Sequence, residues 1–175
     1  MKKLIFVLFV ILTLSSCRSG YVRHGLKDIS VERKRLLEAK SSFNIADTEQ
    51  VADILSSYNS KLDSLNKYGV DNSSLPLMTK FSQIKKPLLD YLNNFSSIKK
   101  EYAYSFDQLD DLEYDLKAKN VSKEAFSIYM DSEKSANDRL ILKSNLISNS
   151  AAREIESYKK IYSKIDSLIF TIKQK

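Results

Sequence analysis

The sequence predicts an all-α protein, built as an elongated, antiparallel, coiled-coil-like bundle of three main helices. The 175 residues include only 3 glycines and 2 prolines, fewer turn residues than a sheet protein of this size needs. Apolar residues recur in alternating steps of four and three over three long segments, whereas strands would show a period of two. Short connections join these segments, so neighbouring helices should run antiparallel.

The first main helix is predicted between Asp47 and Gly69. Asp47 can cap the helix, and Gln50 follows three residues later, as in a capping box. Ala46 can pack against Val51 across this cap. Gly69 and the turn-rich stretch after it mark the end. The expected core-facing residues are Val51, Leu55, Tyr58, Leu62 and Leu65.

The second main helix is predicted over residues 77–116, where eleven of twelve core-facing positions are apolar. Such a helix would be about 60 Å long at 1.5 Å per residue. Pro87 removes one backbone hydrogen bond, which predicts either a kink or a helix break at Lys86. The twelve positions are Leu77, Phe81, Ile84, Leu88, Tyr91, Phe95, Ile98, Tyr102, Ser105, Leu109, Leu112 and Leu116.

The third main helix is predicted from Ser122, its cap, to about Thr171, with Val121 and Phe126 packing across the cap. Its midsection, residues 131–139, offers only Ala136 to a core. We interpret this midsection as loosely packed, the alternative being a partner-binding stretch or a hinge. The core-facing residues further on are Ala151, Ile155, Tyr158, Tyr162, Ile165, Ile169 and Ile172.

The helical bundle domain is therefore assigned to residues 47–175, after a basic tether over 17–46 that can be partly helical. Because the first main helix is shorter than the other two, one end of their hairpin would be a bare two-helix arm. An extra helix over residues 28–41 would cover this arm.

The chain begins with two lysines and an apolar run, Leu4 to Leu12, too short to span a bilayer. This layout is typical of a secretory signal peptide. The following residues, Leu14-Ser15-Ser16-Cys17, resemble the bacterial lipobox. The resemblance implies a lipoprotein signal peptide over residues 1–16, cleavage before Cys17, and lipid on this cysteine. The alternative is an ordinary signal peptide with a chance cysteine near the cleavage site.

The residue after the cysteine is Arg18, whereas Asp at this position marks many lipoproteins for retention at the inner membrane. The resemblance therefore implies an outer-membrane protein. Residues 18–22 also lack the acidic cluster associated with surface export in some lipoproteins, which favours the periplasmic face.

Positive charge is concentrated beside the predicted anchor. Residues 18–40 carry a net charge of +4, whereas residues 41–175 are neutral. Basic residues near an anionic leaflet gain about 1 kcal/mol each. We favour a solvated helix face without a partner, with contact to lipid headgroups or to another anionic polymer as the alternative. Nucleic acid is not expected, because an exported protein rarely meets it and no aromatic-basic motif is present. The candidate membrane contacts are Arg18, Arg23, Lys27, Arg33, Lys34 and Arg35.

The side chains that could support catalysis are few. His24 is the only histidine and Cys17 the only cysteine, so we expect no catalytic triad and no zinc site. The three glycines are isolated, so no phosphate-binding loop is expected, and we predict no cofactor. The acidic cluster at residues 107–115 lies off the core-facing positions, which indicates a solvated face, with weak cation binding as the alternative.

We therefore expect a non-enzymatic, lipid-anchored protein of the cell envelope that acts as a helical spacer or protein-interaction module. Its partners would be the membrane, through the lipid, and an envelope protein. The alternative is an inhibitor of a hydrolase, or a weak carboxylate-dependent hydrolase.

Overall fold

The computed structural model describes the backbone of residues 2–43 and 47–174, and side chains within 20–43 and 47–174. All regular structure in these ranges is helical, which confirms the predicted all-α class. The elements are α1 (Lys2–Phe43), α2 (Thr48–Tyr68), a 3-10 turn (Asn72–Ser74), α3 (Leu75–Gln83), α4 (Lys85–Ala118) and α5 (Lys123–Lys173).

The chain forms two compact units. Unit 1 comprises Met1–Glu38 and Glu101–Ile141, and unit 2 comprises Ala39–Lys100 and Leu142–Lys175. Helices α1, α4 and α5 each contribute residues to both units.

Unit 1 is a bundle of three helices, taken from α1, the end of α4 and the start of α5. Tyr21 bonds to Val121, near the end of α4, while Arg33 bonds to Asp110, so α1 and α4 are antiparallel. Tyr21 packs against Phe126 and Glu32 bonds to Asn137, so α1 and α5 are parallel. The buried apolar side chains include Ile29, Leu36, Leu109, Leu116, Phe126 and Met130.

Unit 2 joins the end of α1 to α2, α3, the start of α4 and the second half of α5. Tyr58 of α2 stacks on Phe81 of α3 with ring centroids 4.3 Å apart. The Tyr158 hydroxyl of α5 donates to Ser57 of α2 over 2.7 Å. The fully buried side chains include Phe43, Leu65, Phe81, Leu88, Tyr91 and Ile98.

The predicted core-facing positions are largely buried. Along residues 77–116 all are buried except Leu77 and Phe95, which are half-buried. In the third main helix, however, Tyr162 is 43% exposed and its neighbour Ile161 is buried. The α-helix repeats every 3.6 residues, so a strict seven-residue pattern drifts around its surface. The Tyr162 ring instead packs edge-on against Tyr158, with centroids 5.5 Å apart.

The helix ends follow local sequence chemistry. The Asp47 carboxylate accepts the Glu49 N–H over 3.0 Å, and the Ser122 hydroxyl accepts the Ala125 N–H over 3.2 Å, which confirms both predicted caps. Gly69 ends α2 with a φ of 74°, in the left-handed region that glycine tolerates. The predicted contact of Ala46 with Val51 lies outside the described residues.

The helix predicted over residues 77–116 is interrupted at Ile84, two residues before the expected break at Lys86. A proline lacks the N–H that would bond four residues back, and its ring clashes with that carbonyl. Ending α3 at Gln83 places Pro87 in the first turn of α4, where helical N–H groups have no intrahelical acceptor. Ile84 keeps right-handed helical dihedral angles.

The region assigned to a basic tether is a packed helix where its side chains are described. Residues 28–41 lie in α1, and Ile29 and Leu36 are fully buried. The additional helix considered for residues 28–41 is therefore present. In unit 1 it covers the hairpin of α4 and α5.

Candidate functional site

The predicted lipid anchor lies at the start of the chain. The backbone at Cys17 and Arg18 belongs to α1, but the side chains of both residues lie outside the described set. None of the helices in the described ranges contains an apolar stretch of the length needed to span a bilayer.

Three of the candidate membrane contacts form ion pairs inside unit 1. Arg33 donates to Asp110 and Glu113 of α4, over 2.5 and 2.7 Å. Arg35 donates to Asp138 of α5 over 2.6 Å, and Lys34 lies 3.8 Å from Glu38 in the same helix. The structure therefore places Arg33 and Arg35 as links between helices. Arg23 and Lys27, in contrast, are exposed.

Two carboxylates of the acidic cluster of α4, Asp110 and Glu113, take part in these ion pairs. The hydrogen bond from Lys117, and to a smaller extent the one from Arg33, lowers the pKa of Glu113. The hydrogen bond to Glu113 in turn raises the pKa of Arg33. Asp107 and Asp111 remain exposed. Among the described residues, no three acidic, histidine or cysteine side chains are grouped closely enough to hold a metal ion.

A buried polar pair connects α1 to α5 in unit 1. Asn137 is fully buried and donates to the Glu32 carboxylate over 2.9 Å, while Glu32 is only 3% exposed. The Arg35 guanidinium lies 3.2 Å from the same carboxylate. A buried charge needs such partners, because losing one leaves an uncompensated group. Residues 131–139 of α5 thus supply a buried polar residue, Asn137, which apolar periodicity does not reveal.

A cleft of about 580 Å³ lies between α1 and α5 in unit 1. Its floor is formed by Gly25, Phe126 and Met130, all buried. A Cβ atom at Gly25 would lie 2.6 Å from Leu116 and 2.9 Å from Phe126, so the absent side chain lets the helices approach closely. The rim carries mixed charges and small polar groups, from His24, Asp28, Lys123, Ser127, Asp131 and Lys134.

His24 therefore lines a folded site, although the sequence placed it in a tether outside the bundle. Its Nδ1 lies 2.7 Å from the carbonyl oxygen of Gly20, one turn earlier in α1. In a Ser-His-Asp triad this nitrogen would face a carboxylate instead. The two cleft carboxylates, Asp28 and Asp131, are exposed to water. The cleft therefore carries one imidazole and two water-exposed carboxylates on its rim.

A second surface feature is an apolar strip on α5 in unit 2. Leu142 and Leu146, one turn apart, are 71% and 68% exposed. Leu146 also lines a shallow groove with Pro87 of α4 and the adjacent Ile147. Exposed apolar side chains that cluster in this way mark contact surfaces more often than isolated ones do.

The fold and these sites define an all-α helical bundle protein with charged links between its helices. Comparison of the chain with protein-family models, with curated proteins and with solved structures finds no match in any of the three.

Proposed function

We propose that this protein is a non-enzymatic, lipid-anchored component of the cell envelope that serves as a helical spacer or protein-interaction module. The lipid on Cys17 would hold it in the outer membrane, facing the periplasm. The observation that carries the proposal is the Leu14-Ser15-Ser16-Cys17 sequence directly after a short apolar run. Several acyl chains, at about 0.8 kcal/mol per buried methylene, would make such an anchor durable.

The start of the folded region supports this proposal. Gly25 and Ile29 are buried in unit 1, only eight and twelve residues after Cys17. In a continuous helix these separations correspond to about 12 and 18 Å. A lipid on Cys17 would therefore hold unit 1 close to the bilayer surface.

The first prediction tests the anchor. Cys17→Ser removes the sulfur that would carry lipid, so the variant should lose fatty-acid labelling and leave the membrane fraction. Metabolic labelling followed by fractionation measures both effects. Ser19→Ala, two residues away and outside the lipobox, is the matched control and should behave as wild type. Unchanged membrane partitioning of the Cys17→Ser protein would refute the anchor.

The second prediction concerns the interaction surface. If an envelope protein binds the apolar strip, a photo-crosslinking residue at position 146 should yield a defined product in intact cells. The same photo-crosslinking residue placed at position 160, an exposed polar site of α5 in the same unit, should not yield this product. Equal products at both positions would exclude the strip as the specific surface.

A further inference from the structure

The turn between α4 and α5 lies beside Tyr21 and Gly25 of α1, which follow Cys17 by four and eight residues. Gly25 approaches both Leu116 and Phe126, which flank this turn. One turn earlier in α1, the Tyr21 hydroxyl donates to the carbonyl oxygen of Val121, within the turn, over 2.8 Å. Because α4 is antiparallel to α1 and α5 is parallel to it, the turn must lie near the level of residues 20–22.

This level is close to the predicted anchor. Tyr21 follows Cys17 by four residues, which is about 6 Å along a helix axis. Residues 119–123, about a hundred positions away in the sequence, are therefore brought beside the lipid attachment point. A lipid on Cys17 would hold this turn near the headgroups.

The surface at this end carries exposed cations. Residues 20–28 and 115–124 together contain five lysines and arginines against three acidic residues, Asp28, Asp115 and Glu124, and one of the five, Lys117, is paired with Glu113 of the preceding turn of α4. Arg23, Lys119 and Lys123 are exposed. Asp115 accepts from the Asn120 side chain over 3.2 Å, and Lys119 closes α4 with a φ of 60°. Within the described ranges, neither Lys119 nor Lys123 lies in an ion pair.

We propose that the α4–α5 turn is a second membrane contact, in which Lys119 and Lys123, together with Arg23, bind the phosphates of anionic lipids beside the anchor. The inference rests on the proposed lipid anchor and deepens it. The contact surface differs from the basic stretch in the sequence, because Arg33 and Arg35 are held by carboxylates inside unit 1. The new surface is assembled by the fold.

Lysine footprinting of the intact, lipidated protein tests the proposal. The protein is reconstituted on vesicles of phosphatidylglycerol or of phosphatidylcholine, and its lysines are modified with a water-soluble amine reagent. An interaction of about 1 kcal/mol per lysine corresponds to roughly fivefold protection. Lys119 and Lys123 should show this protection on phosphatidylglycerol only, and should lose it in high salt, because ions screen the attraction.

Lys160 and Lys164 of unit 2, both exposed, are controls within the same molecule and should react equally on the two kinds of vesicle. Equal modification of Lys119 and Lys123 on both vesicles would overturn the inference. So would protection that persists in high salt, or protection that extends to Lys160 and Lys164. The mass of the Cys17 peptide, measured in the same experiment, shows whether lipid is attached, and so separates failure of the anchor from failure of this contact.

Discussion

Leu109→Ala should lower the free energy of unfolding by roughly 2–5 kcal/mol. Leu109 is fully buried in unit 1, so the truncation removes apolar burial and leaves a cavity. For a chain of this size, 1 kcal/mol corresponds to a change of about 2–4 °C in the melting temperature. Thermal unfolding of the Leu109→Ala protein should therefore begin about 4–20 °C lower than that of the parent.

Asp111→Ala is the matched control, because Asp111 lies two residues away on the same helix and is exposed. Surface substitutions of this kind usually change stability by less than 0.5 kcal/mol, a magnitude of about 1–2 °C here. If Asp111→Ala cost as much as Leu109→Ala, the assignment of the core face of α4 would be wrong. A rise of several degrees on adding calcium would instead identify the acidic cluster as a cation site.

The second large effect is expected at Gly25. A Cβ atom there would meet the buried ends of Leu116 and Phe126 at less than 3 Å, so a larger side chain must displace one of them. Overpacking of this kind typically costs about 1–3 kcal/mol. Because the better helix propensity of leucine offsets about 1 kcal/mol of this cost, Gly25→Leu should lower the melting temperature by up to about 8 °C in a thermal unfolding experiment.

Gly20→Leu makes the same chemical change five residues earlier in α1. A Cβ atom at Gly20 would meet no other atom within 4 Å, and the side chain would enter the open cleft. Since leucine also favours the helix over glycine, this variant should be at least as stable as the parent. If Gly25→Leu and Gly20→Leu lowered the melting temperature equally, the close packing of helices at Gly25 would not limit the stability of the protein.

Part of this protein could be predicted from local chemistry alone. The caps at Asp47 and Ser122, the end of α2 at Gly69 and the interruption near Pro87 each depend on a residue and its near neighbours. The core face of residues 77–116 was also predictable, because eleven of its twelve positions are apolar, Ser105 being the exception. Burial of a continuous apolar face follows from the hydrophobic effect without knowledge of the partner.

The packing of α1 was harder to predict for a physical reason. Its core-facing residues follow the same alternating steps, namely Val22, Gly25, Ile29, Glu32, Leu36, Ala39 and Phe43. Gly25 and Glu32 interrupt the apolar pattern, so this series is less distinct than the one along residues 77–116. Glu32 can lie in the core because Asn137 and Arg35 satisfy its carboxylate, and Asn137 is supplied from a distant helix. Sequence spacing along α1 cannot show that partner.

The sequence by itself determined the helical class, both ends of α2, the start of α5 and the position of the lipobox-like segment, because these depend on side chains close together in the chain. Only the tertiary structure decided which charges are available to a partner. Arg33 and Arg35 belong to the most basic stretch, yet carboxylates from α4 and α5 hold them. Lys119 and Lys123 lie about a hundred residues from Cys17, but antiparallel packing brings their turn beside Tyr21, four residues after Cys17. Charge is a property of residues, whereas its availability depends on neighbours that only folding brings together.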